Sequence, residues 1–338
     1  MEKNILDRFR DSVKTHRDSL LELLNINSPS KNLCLGNCGV DEVSNLIQEH
    51  NGVLERMDKG EFGKCVECDG EGEVEIDRLE LDFTTQVCLS HYSDTQLEAL
   101  EDDLELAAKV QKQLLPQELP ILPGIQIAAH TEPAHIVSGD YFDFYKYPDN
   151  SQGIVVADVM GKGLPASMLM SKLQAFLRIL GPEQTELHSL ATRLNELFRY
   201  NLTLIRFISL FLIRLDTKVK ILNYCNAGHN PGIWWDADMN SIQLLKPTGP
   251  AIGLSHTAEF SSKNIQLNSG DLIVIYTDGI VEARDENNEE YGQQRLENFV
   301  KENKDKSAKE FLSDFRKSFE EFTKYIQDDI TILALKVL

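Results

Sequence analysis

Residues 153–163 read GIVVADVMGKG. Ile154, Val155, Val156 and Ala157 form a short apolar run with the composition of a buried strand. The run ends in Asp158 and breaks into the turn Gly161-Lys162-Gly163. Leu164 and Pro165 follow, so Pro165 is expected at the first position of an apolar helix reaching about Leu180. A carboxylate at a strand end, beside flexible backbone and facing a helix N-terminus, suits a metal ion and a phosphate. An aspartate that merely closes a strand looks the same, so the stretch gains weight only if it recurs.

It recurs at three places. Asp140 lies in SGDYFDF, just after a glycine. Asp278 lies in LIVIYTDGIVEA, where another apolar strand runs into Asp-Gly. Asp328 and Asp329 open the last strand in QDDITILAL. Oxygen-only ligands are the mark of hard cations such as Mg²⁺ or Mn²⁺. Clustered carboxylates repel one another unless a cation sits among them. Two ions about 4 Å apart activate a water and neutralise a phosphoryl group. Hydrolysis of a phosphate monoester is the natural use. A P-loop GxxxxGK[ST], a kinase-type glycine-rich loop with its HRD segment, and a Ser or Cys nucleophile elbow are all missing from the sequence.

From Gly124 onward the chain is strand-rich. GIQIAAHTE, GIVVADV, FISLFLIRLD, VKILNYCNAGH, GIWWDAD, SIQLLKP, SKNIQLN, DLIVIYTDG and DITILALKV all combine β-favouring residues with turn chemistry at their ends. Helices are expected near 164–180, 183–204, 293–302 and 307–326. Consecutive strands with short links predict two mainly antiparallel sheets, packed together and flanked by helices, an α+β fold.

The N-terminal third differs. Ile5, Phe9, Val13, Leu20, Leu21 and Leu24 recur at helical spacing, as do Val43, Leu46, Ile47, Val53 and Leu54, which predicts a helical hairpin. Cys65-Val-Glu-Cys68 and Cys88-Leu-Ser-His91 follow, with nineteen residues between the pairs. Such gaps let two tight turns offer four ligands to one closed, structural Zn²⁺, and metal binding would then add folding free energy directly. Free thiols and a surface His are the plainer alternative. Cys34 and Cys38 are either loop thiols or alternative ligands, and Cys225 reads as a small buried residue. Residues 95–115 carry Leu97, Leu100, Leu104, Ala107 and Leu114 at 3-4 spacing with Gln111 as a polar notch. That pattern fits either a short coiled-coil seam, and so a homodimer, or a helix packed on its own domain. Pro116, Pro120 and Pro123 then mark a boundary. The expected organisation is 1–95 hairpin and zinc finger, 96–116 linker helix, and 117–338 a hydrolase domain.

Composition sets outer bounds. A formal charge of −20 disfavours nucleic acid and anionic membrane surfaces as partners. No apolar run approaches the about 20 residues of a membrane span, and the charged N-terminus has no signal core, so a cytoplasmic protein is expected.

Two family resemblances sharpen these expectations. AAKVQKQLLPQELP, PAHIVSGDYFDF, VVADVMGKGLPASMLM, NAGHNPGIW, GPAIGL, GDLIVIYTDGIVEARDENNEEYG and DDITILALKV, in this order, resemble the PPM/PP2C-type phosphatases of the SpoIIE/RsbU branch. The resemblance runs from about Ala107 to the C-terminus. It implies an αββα sandwich with two Mn²⁺ or Mg²⁺ ions and hydrolysis of phosphoserine or phosphothreonine on a partner protein. In this branch the substrate is often a STAS-type anti-sigma-factor antagonist. By motif, Asp140, Asp158, Asp278 and Asp328 are carried over as catalytic metal ligands. Asp158 bridges, the Val159 carbonyl is an added ligand, and Asp329 is the neighbour that competes with Asp328. Ser138 and Met160 depart from the family pattern at the edge of the site. Asp143, His229 and Lys162 are weaker candidates for support of the reaction. Residues 50–95, with GVLERMDKGEFGKCVEC and VCLSH, resemble the zinc finger of DksA/TraR-type regulators, with His91 where Cys is common. That implies a regulatory protein as partner of the N-terminal domain. In the alternative reading the finger is the functional part, engaging a transcription or signalling protein, and catalysis is secondary.

Overall fold

The structure, a computed structural model, describes residues 3–25, 40–68, 72–81, 83–91, 93–199, 207–255 and 257–338. Cys34 and Cys38 lie outside them. The chain divides into two compact units between Glu101 and Asp102.

The smaller unit contains α1 (Lys3–Asn25), α2 (Val40–Lys59), α3 (Ile76–Leu81) and a 3₁₀ turn at Leu89–His91. Phe9 and Val13 of α1 meet Val53, Leu54 and Met57 of α2, with Phe62, Val74 and Leu79 completing the core. These positions sit three or four apart in each helix, so each presents one apolar stripe. Cys65 and Cys88 belong to the same core. Arg10 pairs with Asp58 at 2.5 Å, but an exposed pair of this kind contributes at most about 1 kcal/mol. The apolar contacts therefore hold the helices together. Helix α4 (Asp94–Leu114) follows.

Among its described residues the larger unit carries ten strands. They are β1 (Ile125–Glu132), β2 (Tyr141–Lys146), β3 (Gln152–Val159), β4 (Ile208–Asp216), β5 (Ile221–Ala227), β6 (Gly232–Asp236), β7 (Ser241–Leu245), β8 (Lys263–Gln266), β9 (Leu272–Tyr276) and β10 (Ile330–Val337). One sheet runs β1-β10-β9-β6-β7 and the other β2-β3-β4-β5-β8. All these neighbours pair antiparallel. Side chains alternate between two cores. Ile154 and Val156 of β3, Phe142 and Phe144 of β2, Ile273 and Ile275 of β9, and Leu333 and Leu335 of β10 fill the space between the sheets. Val155, Ala157 and Val159 face the other way, onto α5 (Gly163–Glu183) and α6 (Leu187–Arg199). Val274, Ile332 and Ala334 likewise face α8 (Gln293–Glu302) and α9 (Ala308–Phe322). The result is the expected α+β sandwich of two antiparallel sheets between helical layers.

Several boundaries differ from expectation. Pro165 is the third residue of α5, not the first. Lys162 takes the cap position in extended backbone, and Gly163 opens the helix at φ +68°. Proline is tolerated there because first-turn N–H groups lack helical acceptors. The helix continues past Leu180 to Glu183 with Pro182 in its last turn. Strand β2 was not expected, and neither was the one-turn helix α7 (Asp278–Val281). Among the described residues no helix is long and apolar enough to cross a membrane.

Candidate active site and metal centres

The period-2 alternation that fills the inter-sheet core also builds the site. Two residues beyond Val156 on the same face of β3 stands Asp158, and two before Phe142 stands Asp140. Thr277 continues the Ile273–Ile275 face, and Thr331 and Asp329 continue that of Leu333. Hydrogen bonds knit these positions together. Asp140 is 2% exposed and accepts from the Thr277 hydroxyl at 2.7 Å. The Thr331 N–H donates to Thr277 Oγ1 at 2.8 Å. The Thr131 and Thr331 hydroxyls meet at 2.9 Å across β1 and β10. Asp329 accepts from the N–H groups of Ala134 at 2.8 Å and Gly139 at 2.7 Å. A Cβ at Gly279 would collide with the Asp329 carbonyl, so glycine is what lets the Asp278 turn close on the start of β10.

The carboxylates act strongly on one another. Burial, and then the charge of Asp158, lift the Asp140 carboxyl well above the usual range. Burial pushes Asp158 up to about 8, helped by Asp278, Asp328, Asp329 and Glu282. Asp278 rises to about 6 through burial, Glu282 and Asp328, and is eased downward by Lys162. The structure thus sets Asp140, Asp278, Asp328 and Asp329 within electrostatic reach of Asp158. Carboxylates that raise one another in this way suit divalent cations with oxygen ligands. The Val159 carbonyl lies against Gly139, the residue before Asp140: a Cβ there would lie 2.9 Å from it.

A second cluster belongs to the smaller unit. Cys65, Cys68, Cys88 and His91 bring their ligand atoms within 4.8 Å of one another. Cys68 Sγ is 2.9 Å from His91 Nε2 and 3.6 Å from Cys88 Sγ, and the Cys88 N–H donates to Cys65 Sγ at 3.3 Å. Leu89 N–H donates to Glu75 Oε1 at 2.8 Å, which fixes the turn carrying His91. Three sulfurs and one imidazole at this spacing fit one tetrahedral Zn²⁺.

The weaker candidates separate. Asp143 points to the opposite face of β2, where Arg178 of α5 pairs with it at 2.6 Å and the Tyr141 hydroxyl donates to it at 2.5 Å. It anchors α5 to the sheet and stays clear of the other aspartates. His229 is buried, and burial pushes its imidazole down to about 4, so it is neutral near pH 7. Its Nδ1 lies 2.7 Å from the hydroxyl of Ser209, the cross-strand partner of Asp158. Lys162 Nζ lies 3.1 Å from Asp328 Oδ2. Met160 is exposed and Cys225 is buried. Gln111 holds the backbone of Ser138 from both sides, donating to its carbonyl at 2.7 Å and accepting from its N–H at 2.9 Å. It is a buried clamp on the loop that carries Asp140. Thr277, Thr331, Ser209 and Glu282 were not singled out in the sequence. Continuing the alternation of β9 and β10 past their apolar runs puts Thr277 and Thr331 on the inter-sheet face, but nothing in the sequence marks them, or Ser209, as part of the site. A one-turn helix after Asp278 would have placed Glu282 beside it.

Residues 148–338 match the family described as Stage II sporulation protein E (SpoIIE). The chain belongs to the SpoIIE family. Its larger unit is accordingly a PP2C-like phosphatase domain. Among SpoIIE relatives, the chain is 28% identical over 265 residues to the phosphoserine phosphatase RsbU of Bacillus subtilis, covering 76% of this chain and 78% of RsbU. The solved RsbU and RsbW domains of a Mycobacterium tuberculosis protein are 27% identical with a TM-score of 0.59, covering 67% of this chain and 63% of that one. The SiaA-PP2C domain of Pseudomonas aeruginosa shares the fold at 21% identity and TM-score 0.63, covering 72% of this chain and 98% of that domain.

Proposed function

We propose that this SpoIIE-family protein is a metal-dependent phosphatase that removes phosphate from serine or threonine of a regulatory partner protein. The carrying observation is that Asp140, Asp278 and Asp328, distant in sequence, all lie within electrostatic reach of Asp158 at the end of the inter-sheet seam. Asp158 would be the central ligand, since Asp278 and Asp328 act on it and Asp140 feels its charge. The Val159 carbonyl adds a neutral oxygen. Asp328 would be the outer ligand in preference to Asp329: both Asp329 oxygens are tied to backbone N–H groups of the Asp140 loop, whereas Asp328, among the described residues, accepts only the neighbouring Asp329 N–H and turns its other oxygen to the half-exposed Lys162. Two Mn²⁺ or Mg²⁺ ions bound there would supply Lewis acidity and a water acidic enough to attack phosphorus. The protein's own part is to hold the carboxylates fixed: Thr277 orients Asp140, Gln111 clamps the Ser138 loop, and Asp329 ties that loop to β10. Similarity to RsbU supports a phosphoserine protein as substrate, with a STAS-type anti-sigma-factor antagonist as the first to try. The cysteine pattern supports a reducing, cytoplasmic setting.

The test is Mn²⁺-dependent phosphate release from a phosphoserine protein. Asp158→Asn is expected to lower the rate by about 10³-fold or more, the scale of losing a metal-activated nucleophile. Wild type no faster than the variant would end the assignment. We further assign Zn²⁺ to Cys65, Cys68, Cys88 and His91, a regulatory protein partner to the N-terminal unit, and homodimerisation to α4. Leu100, Leu106 and Val110 are exposed on that helix. A Leu100→Glu, Leu104→Glu protein should halve the mass measured by light scattering, and an unchanged mass would refute the dimer.

A further inference from the structure

Lys162 stands in the turn between Asp158 and α5. Gly161 at φ +103° and Gly163 at φ +68° flank it, backbone that lets the turn re-aim its side chain. Its ammonium lies 3.1 Å from Asp328 Oδ2 and donates to the Gln327 carbonyl at 2.7 Å. Both partners keep solvent access, with side chains 48% and 38% exposed. The same charge reaches Asp278. The pair is therefore held on the rim of the site, where it can open without unfolding anything. Asp328 is one of the carboxylates assigned above to a divalent ion, and an ammonium and an ion cannot both take one oxygen face. A lysine suits such a position better than an arginine. Its compact charge carries no planar fork to lock onto the carboxylate, and its flexible stem finds a second acceptor easily.

We propose that Lys162 is a displaceable internal cation, neutralising Asp328 until a divalent ion takes that carboxylate and then turning onto the phosphoryl oxygens of the substrate as a phosphate-contacting residue. The proposal rests on the phosphatase reading of the site. In the opposing case Lys162 simply ties the turn to Asp328 and stays there.

The full chain is titrated with Mn²⁺ by calorimetry, and inorganic phosphate is titrated as an inhibitor of p-nitrophenyl phosphate hydrolysis. Lys162→Met should bind the weaker Mn²⁺ about three- to five-fold more tightly, the size of a half-exposed ion pair released from competition. Its inhibition constant for phosphate should rise by about five-fold or more as a charge-assisted contact is lost. A variant that was merely destabilised would lose Mn²⁺ affinity, the opposite sign. Lys162→Arg, gripping Asp328 more firmly, should bind Mn²⁺ more weakly than wild type. Equal Mn²⁺ affinity in wild type and Lys162→Met, or equal phosphate inhibition, overturns the proposal while leaving a working phosphatase. A wild-type protein that neither binds Mn²⁺ nor hydrolyses the ester overturns the phosphatase reading itself.

Discussion

Asp158 ionises only against burial and the charges of Asp278, Asp328, Asp329 and Glu282, and Asp140 only against burial and the charge of Asp158, which makes stability depend on pH in a defined direction. An aspartate in an unfolded chain titrates near 3.8, whereas folding pushes Asp158 up to about 8. Between those values the native protein holds a proton that the unfolded chain has released, so raising the pH destabilises the fold. After chelation, the melting temperature should fall as pH rises from about 5 to about 8, with a slope of at most about 1.4 kcal/mol per pH unit for each proton involved. Asp278, raised to about 6, contributes over the lower part of that window. Mn²⁺ should abolish the slope by supplying the missing positive charge. Asp158→Asn should make it shallower without added metal, leaving the part due to Asp140 and Asp278, which separates the site from the general repulsion of a chain with net charge −20. A flat profile in the chelated wild type would show that these carboxylates do not interact as described. The aspartates were legible in the sequence because each stands beside an apolar run or an Asp-Gly turn. Thr277 and Ser209 were not, since a hydroxyl at the end of a strand carries no mark until its neighbour across the seam is known.

At the scale of elements, legibility followed the apolar pattern. Strands β3, β9 and β10 are buried on both faces, between a helical layer and the opposite sheet, and read as unbroken apolar runs. Strand β2 was missed because Asp140 and Asp143 interrupt its run. Both charges are accommodated by partners far away in sequence: Asp143 by Arg178, and Asp140 by Thr277. The same blindness hid the role of Gln111, whose two bonds go to Ser138. The Asp143–Arg178 pair also makes a prediction about α5. Asp143 is buried, while the Arg178 side chain is 47% exposed. Removing the cation leaves a buried carboxylate with the Tyr141 hydroxyl and the Phe144 N–H as its remaining donors. Arg178→Leu should therefore cost about 1–2 kcal/mol, below the value for a fully buried pair because solvent screens the arginine end. Denaturant titration reads this as a lower midpoint with an unchanged slope. Asp143→Leu combined with Arg178→Leu should recover part of the loss. A single variant as stable as wild type would mean that the pair does not anchor α5.

The whole molecule has two separately built cores, and they fail for different reasons. The larger unit buries three apolar layers among its described residues. The smaller unit has one modest core in which Cys65 and Cys88 are themselves members. Their thiols are thus both packing groups and the assigned zinc ligands, so ion binding and helix packing there are one event. Cys88→Ser keeps the volume nearly constant and removes a soft ligand. The full-length variant should carry no zinc by mass spectrometry where wild type carries one per chain. It should also lose amide-exchange protection in α1 and α2 while β3, β9 and β10 stay protected. If the four side chains were ordinary free thiols and a surface imidazole, a Cys→Ser change would leave α1 and α2 nearly as protected as before. Retained protection without zinc would therefore remove the metal centre from this unit. Protection lost across both units would show that the two cores do not fold independently.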